Sequence, residues 1–107
     1  MFVGRTKELL MTRRAIETAW EQHRSTGWPR FSSPHEGELM TLDTVISGCV
    51  VYYLESADGL DDQRLGIVKD CLRDLDDLTT DLEADCLPYF RRLRELGELL
   101  LNVQASR

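Results

Sequence analysis

A chain of 107 residues, 42% hydrophobic and 30% charged, makes one domain spanning residues 1–107. It is too apolar to be disordered and too short to hold a catalytic and a regulatory domain together. Its formal charge of −6 at pH 7 excludes general nucleic-acid binding, which needs a surplus of Lys and Arg on one face.

The 17 Leu against 7 Gly and 3 Pro favour helices over turn-rich sheet structure. Between about Arg5 and Arg24, Leu9, Ile16, Trp20 and His23 recur near helical spacing, with Arg13, Arg14, Glu17 and Glu21 left for the outside. This predicts a first helix over about 5–24, with the His23 ring packed on Trp20 or Trp28. Ser25-Thr26-Gly27 then stops it, and Trp28-Pro29-Arg30-Phe31-Ser32-Ser33-Pro34 forms a loop holding two of the three prolines. Two large aromatics and a cation in so short a connection read first as a cap on one end of the core. As a recognition loop, Trp28, Arg30 and Phe31 would be its binding residues.

Ser33 as N-cap, Pro34 at the first helical position and Glu36 at the third predict a capping box opening a second helix, over about 34–56. Leu39, Leu42, Ile46, Cys49 and Tyr53 follow helical spacing, while Val45, Val50, Val51, Tyr52 and Leu54 make the segment apolar nearly all round. A four-helix bundle buries one side of each helix, so Val45, Val51 and Tyr52 are left over and predict a homodimer interface. A turn at Ser56-Ala57-Asp58-Gly59 leads to a third helix over about 61–84, with Leu65, Val68, Leu72, Leu75, Thr79, Leu82 and Cys86 at alternating spacings of three and four. Pro88 breaks the pattern and opens a fourth helix over about 88–104, carrying Tyr89, Leu93, Leu96, Leu100 and Val103. Thr80-x-x-Glu83 is a competing start signal that would end the third helix earlier. Short connections make neighbours antiparallel, so the expected fold is an all-α, up-down antiparallel four-helix bundle. Gly48, Gly66 and Gly97 inside helices each cost about 1 kcal/mol relative to Ala, which close helix packing would offset.

Charge is segregated, with both ends of the chain basic and residues 31–88 acidic. On the third helix Asp70, Asp74, Asp77, Asp81 and Asp85 recur at helical spacing, a stripe that reads as a solvated face or as a docking strip for a basic protein. No pair of carboxylates in contrasting environments, nucleophile elbow or glycine-rich phosphate loop is visible, so no catalytic residue and no cofactor is predicted. His35, Glu36 and Glu38 are the nearest approach to a metal site, and they do not put two ligands on one face at i, i+4. Three cysteines without a C-x-x-C pair read as reduced thiols. The absence of an export signal, and an apolar run of only ten residues from Val45 to Leu54, point to a soluble cytoplasmic protein.

The sequence therefore predicts a small interaction protein, a homodimer without catalysis, that binds neither nucleic acid nor membrane. An acidic adaptor, chaperone or immunity-type inhibitor of a basic partner is the alternative. A small-ligand or metal-dependent enzyme at the His35 and Glu36 end is the second.

Overall fold

The computed structural model describes residues 2–56, 59–82 and 84–105, with side chains described only between 12 and 103. The four helices are α1 (Phe2–Ser25), α2 (Glu36–Glu55), α3 (Asp62–Leu78) and α4 (Leu87–Ala105). The predicted core position Leu9 lies outside the described side chains.

The ends of α1 and α3 are closed by hydroxyls. Ser25 and Thr26 donate to the carbonyls of Glu21 and Gln22 at 2.6 and 2.7 Å, absorbing acceptors that the last turn leaves without helical partners. At α3 the Thr79 hydroxyl donates to the Leu75 carbonyl at 2.8 Å and Thr80 to that of Asp76 at 3.1 Å. The predicted third helix, drawn to residue 84, stops at Leu78. Asp81 and Asp85 leave its acidic stripe for the connection to α4, and Leu82 and Cys86 reach the core from that connection. Glu83 of the competing start signal lies outside the described residues.

The start of α2 also departs from expectation. Ser33 accepts the His35 N–H at 3.1 Å through its hydroxyl and the Glu36 N–H at 3.2 Å through its carbonyl. Its oxygen is thus used two residues on, closing a turn that contains Pro34, and the helix opens at Glu36. His35 holds the N-cap position with no side-chain cap bond, so the predicted capping box does not form. Asp61 does cap α3, accepting the Arg64 N–H at 2.8 Å. Pro88 is the second residue of α4, where a missing N–H costs nothing. Ala57 and Asp58 of the predicted turn lie outside the described residues; Gly59 after them has φ 79°, a conformation glycine adopts without a Cβ penalty.

Pairs of touching residues fix the directions. His23 meets Asp43 while Arg13 meets the Leu54 carbonyl, so α1 and α2 are antiparallel. Arg64 covers the ring of Tyr52 between α2 and α3, and Arg94 grips Asp76 between α3 and α4. The helices α2 and α4 meet across the diagonal, whereas α1 and α3 do not touch among the described residues. The result is the expected up-down four-helix bundle, with α3 an outer helix packed on α2 and α4.

All five predicted core positions of α4 are buried, and Phe90, which the spacing did not single out, joins them beside Ile16, Leu39, Ile46, Val50, Val68 and Leu75. Glycine has two explanations here. A Cβ at Gly97 would lie 2.7 Å from Leu72 Cδ2, so α3 and α4 approach closely there, but nothing lies within 4 Å of a Cβ at Gly48 or Gly66. For those two the expected close packing is absent.

Candidate functional site

Three regions hold side chains that the fold brings together from different helices. The first is the bundle end near the α1–α2 connection. His23 is 3% exposed and its Nε2 lies 2.6 Å from an Asp43 carboxylate oxygen, whose other oxygen accepts the Tyr89 hydroxyl at 3.0 Å. The acceptor role of the carboxylate places the imidazole proton on Nε2 and leaves Nδ1 buried without a hydrogen bond. Burial, reinforced by the Asp43 charge, holds the Tyr89 hydroxyl well above its ordinary pKa. The His23 ring packs on Tyr89 at 4.7 Å between centroids and only at 6.2 Å on Trp20, so its main aromatic neighbour is not one of the two expected. Such a trio resembles acid–base machinery, yet Nδ1 is closed to solvent. The trio joins α1, α2 and α4 as a clasp.

Trp28 and Phe31 close this end as expected of a cap. Trp28 stands edge-on to Tyr89 and Phe90 at 5.4 and 5.6 Å, and Phe31 to Phe90 at 5.8 Å. Both are half-buried and Arg30 is exposed, so of the three candidate recognition residues only Arg30 is freely presented.

The second region is the His35 end. His35 Nδ1 lies 3.5 Å from Glu38, not from Glu36, and a cavity of about 200 Å3 beside it is lined by Ser32, Ser33, Pro34, Leu78, Asp81 and Leu82. Among the described residues no group of three His, Cys, Asp or Glu side chains is placed to hold a metal. Cys49, Cys71 and Cys86 are all buried, and none is in a disulfide. Burial raises the thiol pKa of both Cys49 and Cys71, which disfavours the reactive thiolate.

The third region is the groove between α2 and α3. Glu38, Thr41 and Leu42 face Asp74, Asp77 and Leu78 across about 440 Å3, an apolar floor under an acidic rim. The predicted stripe is thereby divided. Asp70 is engaged by Arg73 at 2.5 Å and Asp81 lines the His35 cavity. Asp76 receives Arg94 through two bonds at 2.6 and 3.0 Å, and this guanidinium holds its carboxyl below the usual carboxylate range. Asp74 and Asp77 make no ion pair among the described residues.

Of the predicted dimer residues, Val45 is half-buried against the core of its own bundle and Val51 is half-buried. Tyr52 is 39% exposed, with the Arg64 guanidinium 3.8 Å above its ring. The other exposed large apolar side chains among the described residues, Met40 and Ile67, also belong to α2 and α3. No helix among the described residues is long and apolar enough to cross a membrane. Comparison with protein-family models, with curated proteins and with solved structures yields no match.

Proposed function

We propose that this chain is a non-catalytic binding protein that docks a basic protein partner on its α2/α3 face, as an adaptor, chaperone or inhibitor does. The observation that carries the reading is the division of acidic side chains on one helix. Asp70 and Asp76 are neutralised by Arg73 and Arg94. Asp74 and Asp77 stand without cations over Leu42 and Leu78. Unpaired carboxylates beside an apolar floor match a partner offering Lys or Arg next to apolar groups, and such charge steers association. Three cysteines without a C-x-x-C pair suit a reducing compartment, and we assign the protein to the cytoplasm.

Titration calorimetry with a lysine-rich peptide tests the reading. Binding is expected to weaken with salt and to fall at least about tenfold in an Asp74→Asn/Asp77→Asn double variant, the size of two lost charge contacts. Binding unaffected by that change refutes it.

Self-association is the second reading, favoured by the exposure of Met40, Tyr52 and Ile67 on adjacent helices. Sedimentation at twice 12.3 kDa would support it and the monomer mass at every concentration would refute it. The burial of Val45 and the cover of Arg64 over Tyr52 make it the weaker of the two.

A further inference from the structure

The groove is one end of a longer seam. On α2, Glu38, Thr41, Val45 and Tyr52 follow one another at three, four and seven residues; on α3, Ile67, Asp74 and Leu78 do so at seven and four. Each set therefore shares one side of its helix. The groove brings Glu38 and Thr41 together with Asp74 and Leu78 at one end, and at the other Tyr52 meets Arg64, one turn before Ile67. From Glu38 to Tyr52 the seam runs about 21 Å at 1.5 Å per residue. It is acidic at the Asp77 end; toward the other end it presents Ile67 and Tyr52, 38% and 39% exposed, with the Arg64 cation lying on one face of the Tyr52 ring.

We infer that the occupant of this seam is a basic amphipathic α-helix of about four turns, laid between α2 and α3 as a fifth helix of the bundle. The inference rests on the basic-partner reading above and adds the conformation and direction of the partner. The walls of the seam are side chains of two helices, whose backbone groups are already committed within each helix. An extended segment on the apolar floor would lose water from its N–H and C=O groups and find no backbone partners there. A helix satisfies its own backbone and sets ridges of side chains into the groove between two others. The charge gradient fixes the orientation: the cations of the occupant lie at Glu38, Asp74 and Asp77, away from Arg64, and its apolar side chains lie over Ile67 and beside Tyr52.

The test uses three synthetic 16-residue peptides and the full chain. The first carries Leu at i, i+3, i+4 and i+7 with Lys clustered toward one end. The second has the same composition with two central residues replaced by Pro, and the third is all Lys. Expected are helical circular dichroism gained on binding of the first peptide, and backbone amide shifts that reach from Asp74 to Ile67. Affinity should fall at least about tenfold for the proline peptide. An Ile67→Ser variant, changed at an exposed side chain that leaves the fold intact, is expected to weaken the first peptide several-fold and the all-Lys peptide not at all. Equal binding of the helical and proline peptides overturns the helical occupant while leaving the basic-partner reading in place. Failure of all three to bind overturns both, and shifts confined to Asp74 and Asp77 overturn the extended seam.

Discussion

Replacing glycine by alanine at two helical positions should give opposite results, and the difference measures how closely α3 and α4 approach. Inside a helix Ala is favoured over Gly by about 1 kcal/mol. At Gly48 a new Cβ meets nothing within 4 Å, so Gly48→Ala should stabilise by nearly that amount. At Gly97 the same Cβ would stand 2.7, 3.1 and 3.3 Å from three carbons of Leu72, a side chain only 7% exposed and so held by the core. Overpacking of this kind costs about 1–3 kcal/mol, which cancels or exceeds the helical gain. Gly97→Ala should therefore fall about 1–3 kcal/mol below Gly48→Ala in urea unfolding. In a domain of this size that corresponds to roughly 4–8 °C in Tm per kcal/mol. A double-mutant cycle identifies the cause: in a Leu72→Ala background the penalty at 97 should vanish, with a favourable coupling of about 1–3 kcal/mol. If Gly97→Ala stabilises as much as Gly48→Ala, or if the penalty persists without the Leu72 side chain, the proposed close approach is wrong.

Tyr89→Phe removes one hydrogen bond from the clasp and should cost about 1 kcal/mol, whereas Asp43→Ala strands both the His23 Nε2–H and the Tyr89 hydroxyl and should cost about 2–4 kcal/mol. Equal losses in urea unfolding would show that Asp43 does not serve both partners. Because the folded-state pKa of Asp76 is depressed by the Arg94 hydrogen bonds, the pair contributes stability above the unfolded-state value near 4 and loses it as pH falls through the lower folded value. The pair is partly exposed, so the contribution is at most about 1 kcal/mol. Asp76→Asn should thus lower stability at pH 7 and flatten the acid-side decline below about pH 4, and parallel declines in the two proteins would refute the pairing.

What the sequence made legible were features decided within one helix. The apolar spacing of α4 from Tyr89 to Val103 and the punctuation at Pro88 depend on neighbours three or four residues away, and both hold. The end of α3 depends on a competition that spacing alone does not resolve. Apolar positions continue in register through Leu82 and Cys86, but the helix ends at Leu78, where the Thr79 and Thr80 hydroxyls bond carbonyls of the last turn. At α2 Ser33 had two possible uses, an amide two residues on or one three residues on. The turn containing Pro34 took the nearer.

The candidate site was less legible because its chemistry depends on register between helices. Asp76 and Arg94 are 18 residues apart, and nothing in an i, i+4 inspection distinguishes Asp76 from Asp74 or Asp77. Only the antiparallel set of α3 on α4 gives one of them a cation and leaves the others free. The clasp left a better trace: Asp43 is the single charged residue between Leu39 and Leu54. A carboxylate in so apolar a helix must point to water or to a buried donor, and the buried His23 near the end of α1 is that donor. The same physics holds on the α2/α3 face. Where a helix pairs some of its carboxylates and leaves adjacent ones unpaired over an apolar floor, the paired ones serve the fold. On the reading proposed above, the unpaired ones receive their cations from another chain.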